Sequence, residues 1–421
     1  MVAFLLVLVV VLAVLGGVHW YVWRRLVRDV TVAGGLPRRL GTVAVVALPL
    51  FSLAALTSSR AGAPFWFQQA VAWPGFLWLA LLLYVTLALL VGEAVRPVLR
   101  ARLERRAKAA APGEAAPVPV PVSVPDAVTA APPAEAAPPA AEAPVDVSRR
   151  LFVSRVVGGS AAAVALGTVG YGTYGVLRGP RVKRVTVPLA KLARAAHGYR
   201  IAVVSDIHLG PILGRAHSQR IVDAINSTQP DLIAIVGDLV DGTVENLGPA
   251  AEPLARLRAR HGSFFVTGNH EYFSGADAWV DHVRELGLRP LRNERVEIAA
   301  GFDLAGVDDV AGESEGQGPD FGRALGDRDR ARAAVLLAHQ PIVIHDAVRN
   351  GVDLQLSGHT HGGQLWPGNY LAELANPTVA GLERYGDTQL YVSRGAGAWG
   401  PPVRVGAPSD ITIVELASKQ A

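Results

Sequence analysis

A run of 22 residues without a single charge constrains this chain more than any other feature of its sequence. Positions 2–23 read VAFLLVLVVVLAVLGGVHWYVW. A helix of this length spans a hydrocarbon core about 30 Å thick, because each residue adds about 1.5 Å. A secretory signal peptide would carry basic residues before the apolar run, whereas Arg24, Arg25 and Arg28 follow it. The run is therefore predicted to be a membrane span.

Three further uncharged stretches of about 20 residues extend the same argument. We predict spans at 40–59, 72–91 and 156–177, of which the last is rich in glycine and alanine. The composition agrees, since 18% of the residues are charged, against about 25% in a typical soluble protein. The sequence thus predicts an α-helical membrane region of about four spans.

The basic residues are concentrated next to these spans. The first 180 residues carry 16 basic and 8 acidic side chains, whereas the remainder carries 24 and 28. Most of the excess lies at 24–39 and 96–108, and the positive-inside rule places both segments in the cytoplasm. Alternation across four spans then delivers the C-terminal half to the outer face, although basic residues at 178–184 oppose this orientation. We therefore expect a multi-pass protein of the cell membrane with an extracytoplasmic C-terminal domain.

Composition also predicts the boundaries of the N-terminal part. Residues 1–95 hold three spans, and residues 96–147 form a linker that is first basic and then rich in Pro and Ala, which predicts disorder. Residues 148–180 combine the fourth span with Arg149 and Arg150. This pair resembles a twin-arginine export signal, which would make the export machinery a partner. The alternative is two arginines at the cytoplasmic end of a plain anchor helix.

Residues 181–421 form the domain to which we assign the chemistry, and they alternate short apolar runs with longer segments punctuated by glycine. Five of the runs consist of β-prone residues followed directly by Gly, Asp, Asn or His. Helical stretches near 216–227 and 247–259 separate the first three runs. This order predicts a mainly parallel sheet with its site at the carboxyl ends of the strands. The five runs are 201–208, 232–241, 264–271, 334–341 and 354–363.

The polar residues after these runs have the type and spacing of metal ligands. Asp206 and His208 stand two apart, so both side chains would face the same side of an extended segment, and the two histidines of G-H-T-H repeat that spacing. The chain has no cysteine, and oxygen and nitrogen donors without thiolate suit Mn, Fe or Zn. One shared carboxylate would let the set hold two divalent ions about 3.5–4 Å apart. The seven expected ligands are Asp206, His208, Asp238, Asn269, His339, His359 and His361.

These motifs resemble those of the calcineurin-like metallophosphoesterase superfamily. The similar strings are SDIHLG, GDLVD, GNHE, GHTHGGQ and SRGAG, and the resemblance covers about residues 183–417. It is closer to the membrane-linked branch, which includes twin-arginine-exported bacterial phosphoesterases and an animal transmembrane protein with a metallophosphoesterase domain. The resemblance implies an α/β fold, an αββα sandwich of two facing sheets. It also implies two ligand sets that share Asp238, namely Asp206, His208, Asp238 and His361 for one ion and Asp238, Asn269, His339 and His359 for the other.

Three further residues complete the expected site. Asp241 is expected to orient a ligand histidine, and Glu271 to polarise a ring nitrogen nearby. His270 directly follows a ligand, so we assign it to protonating the leaving oxygen as a general acid, or to stabilising the transition state. The alternative for His270 is a histidine that only buttresses the ligands. The other histidines of this half lack such a setting and are expected to be structural.

The expected reaction is hydrolysis of a phosphate mono- or diester. Two divalent ions would lower the pKa of a bound water, so hydroxide is the expected nucleophile. A membrane anchor makes a lipid-linked substrate attractive, such as a UDP-sugar-lipid pyrophosphate, which would place the chain in lipid metabolism. The alternatives are a non-catalytic membrane sensor or receptor, which predicts a lost ligand, and a transporter, which predicts ionisable residues within the spans. Nucleic acid is not expected as a partner, because the C-terminal half is net acidic.

Overall fold

The structure is a computed structural model that describes residues 2–110 and 145–420. The part of the linker predicted at 111–144 lies outside the described residues. The described residues divide into two compact units, which are residues 2–45 with 82–110 and 145–165, and residues 46–81 with 166–420.

Four helices in the described residues are long and apolar enough to cross a membrane, as the sequence predicts. The third continues to Ala110, so the basic segment that begins at residue 96 is helical there rather than part of a linker. This segment consists mostly of Ala, Leu, Arg, Glu and Lys, all of which have high helix propensity. The helices are α1 (Val2–Trp23, followed by a π-helical turn at Arg24–Arg28), α2 (Leu36–Thr57), α3 (Phe65–Ala110) and α4 (Val145–Leu177).

The residues after α4 form strands and short helices. The strands are β1 (Arg181–Leu189), β2 (Tyr199–Val204), β3 (Leu232–Val236), β4 (Ser263–Val266), β5 (Arg289–Pro290), β6 (Glu294–Ile298), β7 (Phe302–Gly306), β8 (Ala333–Leu337), β9 (Leu354–Ser357), β10 (Gly381–Tyr385), β11 (Thr388–Val392) and β12 (Asp410–Ser418). The helices are α5 (Arg215–Ser227), α6 (Val244–Ala251), α7 (Asn269–Ser274), α8 (Ala276–Glu285), α9 (Phe321–Leu325), α10 (Ile344–Arg349) and α11 (Gly368–Ala375).

The strands form two mixed sheets of six strands each. The first has the order β1-β12-β2-β3-β4-β5, and the second has the order β10-β11-β9-β8-β7-β6. Strands β2 to β5 run parallel in the first sheet, and β7, β8, β9 and β11 run parallel in the second. Parallel strands bring their carboxyl ends to one edge of a sheet, so each sheet presents the ends of several strands together.

Apolar side chains fill three layers around these sheets. Ile201 and Ala234 of the first sheet pack in one buried cluster with Leu304 and Val335 of the second, so the two sheets face each other. Side chains of α5 and α8 cover the outer face of the first sheet, and side chains of α9 and α10 cover that of the second. The central strands are buried on both faces, which explains their continuous apolar sequences. The predicted αββα sandwich is confirmed.

Candidate metal centre

The seven expected ligands come together at the carboxyl ends of five strands. Asp206 and His208 follow β2, and Asp238 follows β3. The remaining four stand directly after β4, β8 and β9. Since these five strands belong to two facing sheets, the site lies where both sheets end. The residues are Asp206, His208, Asp238, Asn269, His339, His359 and His361.

The backbone at these residues is strained. Eight non-glycine residues of the described chain have positive φ, and five of them are expected ligands. Such left-handed conformations cost about 1–3 kcal/mol each and persist where the surrounding structure holds them, most often at functional sites. The five are Asp206, His208, Asp238, His359 and His361, with φ values of 51, 48, 53, 73 and 52°.

Asp206 and His208 lie on a loop and not on the extended segment that the sequence predicts. An extended segment would have placed both side chains on one face, but β2 ends at Val204 and both residues have positive φ. The chain therefore curls into the site as a loop. His208 Nε2 still lies 4.0 Å from Asp206 Oδ1.

Two glycines of the motifs allow the backbone to approach the carboxylates. A Cβ atom at Gly358 would lie 2.4 Å from Asp206 Oδ2, and one at Gly268 would lie 2.3 Å from Asp238 Oδ1. No side chain fits at either distance. The glycines before Asn269 and before His359 are thus required by the packing of the site itself.

The first group of donors consists of Asp206, His208 and His361, whose ligand atoms all lie within 4.8 Å of one another. His361 Nε2 is 3.3 Å from Asp206 Oδ1 and 3.0 Å from His208 Nε2. Two imidazole nitrogens therefore face each other beside a carboxylate, and all three residues are buried. Such an arrangement suits a shared cation.

The second group consists of Asp238, His339 and His359, with donor atoms within the same limit. His339 Nε2 is buried and has no hydrogen-bond partner among the described residues, although it lies 3.2 Å from Asp238 Oδ2. The amide oxygen of Asn269 is 3.0 Å from His359 Nδ1. Asp238 Oδ2 is also 3.7 Å from His208 Nε2, so this carboxylate adjoins both groups.

Asp241 contacts two histidines with one oxygen. Its Oδ1 lies 2.9 Å from His208 Nδ1 and 2.6 Å from His270 Nδ1. A carboxylate on one ring nitrogen aims the other nitrogen, and here both Nε2 atoms are directed toward Asp238, at 3.7 and 4.0 Å from its Oδ2. The structure thus brings Asp241 and His270 to the ligands, and His270 contacts both donor groups: its ring centroid is 4.8 Å from that of His208, and its backbone N–H donates to Asp238 Oδ1 at 2.9 Å.

Glu271 has a different environment from the one expected. Its buried carboxylate accepts hydrogen bonds from the backbone N–H groups of Asp238, Leu239 and Gly268, at 2.9, 2.7 and 2.6 Å. Among the described residues no histidine ring contacts it. Glu271 therefore ties the loop after β3 to the loop after β4, and the expectation that it polarises a ring nitrogen is not met.

Arg404 is a component of the site that the sequence motifs did not indicate. Its buried guanidinium donates to the His361 carbonyl oxygen at 3.0 Å and lies 3.1 Å from His361 Nδ1. Its backbone N–H donates to the Gly172 carbonyl of α4. No periodicity or spacing marks this arginine, because its partners lie 43 residues upstream and in α4.

The surroundings of the ligand histidines shift their pKa values in opposite directions. Burial disfavours the charged form of His208, but the Asp241 and Asp238 carboxylates outweigh it and raise the pKa of His208 to about 9. Burial and neighbouring cations lower the pKa of His359 to about 4 and hold the pKa of His361 well below its usual range. Burial opposes ionisation of Asp241, yet His208 and His270 lower its pKa to about 2.

The residues present fit divalent metal ions. The buried Nε2 of His339 has no hydrogen-bond partner among the described residues, and the Nε2 atoms of His208 and His361 face each other at 3.0 Å, so a cation at these atoms would be favourable. The donors are oxygen and nitrogen only, which suits Mn, Fe or Zn. Metal binding by this domain follows from the donor set, whereas the number and identity of the ions belong to the proposal below.

A cavity of about 480 Å³ opens beside these donors. Its lining includes His208, Asp241 and His270. It also includes residues between 53 and 76, from the end of α2 to the start of α3, which belong to the same compact unit. The apolar side chains there include Leu53, Leu56, Ala72 and Phe76.

Carboxylate and imidazole groups paired at the strand ends of an α/β fold are typical of metal-dependent hydrolases, phosphatases among them. A family model described as calcineurin-like phosphoesterase matches residues 199–363. A transmembrane protein with metallophosphoesterase domain from Danio rerio is 39% identical over 264 residues, which cover 60% of each chain.

Bacterial relatives extend the match. An uncharacterized metallophosphoesterase of Helicobacter pylori is 38% identical over 260 residues, covering 60% of this chain and 69% of the relative. Another from Aquifex aeolicus is 36% identical over 243 residues, covering 57% and 92%. The chain belongs to the calcineurin-like metallophosphoesterase family. It spans about 60% of the length of the vertebrate relatives it matches.

Proposed function

We propose that the chain is a membrane-anchored phosphoesterase with two metal ions that hydrolyses a lipid-linked phosphate mono- or diester. The observation that carries this proposal is the cavity of about 480 Å³ whose lining includes the candidate ligand His208, its neighbours Asp241 and His270, and apolar residues of α2 and α3. A phosphate group would bind at the polar part of this lining, and an acyl chain would pack against Leu53, Leu56 and Phe76.

The mouth of this cavity adds a positive charge. Arg60 lies in the connection between α2 and α3, and its guanidinium carbon is 5.5 Å from the ring centroid of Phe273. Phe273 is itself 62% exposed. A cation held over an aromatic ring keeps its donors free on the other side, so Arg60 would hold a second anionic group of the substrate, such as the outer phosphate of a pyrophosphate.

Asp206, His208 and His361 would hold one ion, and Asp238, Asn269, His339 and His359 would hold the other, with Asp238 shared. When bound, such ions stabilise the charge that develops on phosphate oxygens and lower the pKa of water. In hydrolysis the water oxygen forms the new bond to phosphorus, and the bond to the leaving oxygen breaks. His270 would give the proton of its Nε2 to that leaving oxygen, while Asp241 accepts from Nδ1 and stabilises the charged ring.

The apolar residues that line the cavity predict that a substitution among them lowers hydrolysis of a lipid-linked substrate selectively. In the full chain in nanodiscs, Phe76→Ala should lower kcat/KM for a lipid-linked phosphate ester by about 10- to 100-fold, since a buried phenylalanine contributes about 1.5–3 kcal/mol. Hydrolysis of a soluble aryl phosphate should stay within about twofold. Leu50→Ala is the matched control, because Leu50 lies on α2, is 63% exposed and does not line the cavity.

Two outcomes of that experiment are informative. Equal losses on both substrates would contradict the lipid assignment but leave the phosphoesterase proposal intact. Absence of turnover on every phosphate ester, with both ions bound, would favour the alternative of a non-catalytic sensor or receptor.

The arrangement of arginines predicts the side of the membrane. With 24–39 and 96–108 in the cytoplasm, alkaline phosphatase fused after Ala421 should be active and β-galactosidase fused there should be inactive. The reverse pattern would place the domain in the cytoplasm. Replacing Arg149 and Arg150 by lysine should abolish the alkaline phosphatase signal if the pair is an export signal, and should leave it unchanged if the helix is a plain anchor.

A further inference from the structure

A second cavity, of about 580 Å³, lies in the unit formed by residues 2–45, 82–110 and 145–165. It is lined by the π-helical turn after α1, by the basic part of α3 and by the start of α4. Its charged side chains are unequal in number, with five guanidinium groups against three carboxylates. They are Arg24, Arg25, Arg96, Arg100 and Arg150, with Asp29, Glu93 and Glu104.

The pairing between these charges is uneven. Arg25 forms ion pairs with two of the three carboxylates, Asp29 at 3.0 Å and Glu93 at 2.8 Å. Arg96 reaches Glu93 only at 3.6 Å. Within residues 2–110 and 145–420, the other three arginines of this cavity have no carboxylate oxygen within 4.0 Å of their nitrogens. The cavity therefore keeps an excess of unpaired positive charge.

Arg96 identifies this excess as a binding site rather than a solvated surface. The residue is only 5% exposed, and its Nε and Nη2 atoms are buried with no hydrogen-bond partner in the described chain. Burying a charged group without partners costs several kcal/mol, more than a fold retains without compensation. A bound anion at the cavity would supply the missing acceptors.

The chemistry of the lining selects a phosphate group. Guanidinium groups present planar pairs of donors that match two oxygens of a phosphate. Large apolar side chains beside the cavity residues remain exposed, so the same ligand would also need an apolar part. Those side chains are Trp20, Val95, Val98 and Phe152, which are 54, 43, 52 and 57% exposed.

We propose that this cavity binds the phosphate of an anionic phospholipid, with the acyl chains against the exposed apolar residues of α1, α3 and α4. Such basic pockets at the ends of membrane helices suit lipid head groups. The proposal also gives Arg150, one member of the twin-arginine pair, a role in this cavity. It does not depend on the function proposed for the catalytic domain.

The test uses the full chain in nanodiscs made of phosphatidylcholine alone or of equal parts phosphatidylcholine and phosphatidylglycerol. Thermal stability and lipid retention in native mass spectrometry are measured. Phosphatidylglycerol should raise the Tm of the wild type, and Arg96→Gln should weaken its retention about fivefold. Arg100→Gln, at an exposed position, should act in the same direction if Arg96→Gln fails to fold. Arg39→Gln removes an exposed charge outside the cavity and should leave retention unchanged.

The change in thermal stability of Arg96→Gln in phosphatidylcholine alone distinguishes lipid binding by Arg96 from a purely structural role. There Arg96→Gln should be at least as stable as the wild type, because it removes a buried charge whose Nε and Nη2 atoms have no hydrogen-bond partner in the described chain. A clear loss of stability in both lipids would show that Arg96 serves the fold through Glu93 and would overturn the proposal. The lipid source would be overturned if inorganic phosphate raised the Tm in phosphatidylcholine as much as phosphatidylglycerol does.

Discussion

Replacing Asp238 with alanine is expected to release metal and to lower kcat/KM at least about a thousandfold, because two ions together contribute several kcal/mol of transition-state stabilisation. The carboxylate is 98% buried, and its Oδ2 lies 3.2 Å from His339, 3.7 Å from His208 and 4.0 Å from His270. It therefore adjoins histidines of both donor groups. The measurement is metal content per chain by plasma mass spectrometry, together with turnover of a phosphate ester.

The control for this prediction is a buried aspartate outside the site. Asp353 precedes β9 and accepts from the Ala334 backbone N–H, at the end of the strand away from the ligands. Asp353→Asn should keep both ions and wild-type turnover, even if its stability falls. Two ions per chain and unchanged turnover in Asp238→Ala would disprove the assignment of the metal centre.

His270→Ala is expected to slow hydrolysis of an ester with an alkyl leaving group by about 100- to 10,000-fold, which is the usual contribution of a general acid. An ester that releases p-nitrophenolate should lose less than about tenfold, because that leaving group needs no proton. The geometry behind this expectation is the 2.6 Å contact of Nδ1 with Asp241, which turns Nε2 into the cavity. The dependence of rate on leaving-group pKa is the measurement.

The metal content of the His270 variant decides between the two roles that the sequence leaves open. Two ions per chain with a steep leaving-group dependence supports the general acid. Loss of metal, or equal losses on both esters, would mean that His270 only buttresses the ligands. His282→Ala is the control, since His282 lies on α8 and its ring contacts Glu285 outside the site.

Much of this protein follows from short-range sequence patterns. The apolar runs before Asp206, Asp238 and His339 are buried strands, and each ends close to where its polar residue begins. The four uncharged stretches are helices, because twenty apolar residues without charge leave few other structures open. Each signal is local, since a strand or helix is encoded by the residues that form it.

Other features could not be predicted from local sequence patterns. Asp206 and His208 share a site through left-handed backbone rather than through an extended strand, and only packing holds residues in that conformation. Helix α3 continues past the point where the hydropathy of its sequence falls. Glu271 contacts backbone of a neighbouring loop instead of a histidine, because its position is set by the pairing of β3 and β4.

By itself, the sequence determined the membrane helices, the strands of a mainly parallel sheet and the identity of the seven candidate ligands, because residue type, spacing and strand periodicity are local properties; the second sheet was implied only by the family resemblance. Tertiary structure alone decided what surrounds those ligands. It placed Arg404 beside His361, brought residues 53–76 to the same cavity as His270, and gathered five arginines from three helices around a second cavity. The physical reason is that these contacts join segments far apart in the chain, where no periodicity relates one partner to the other.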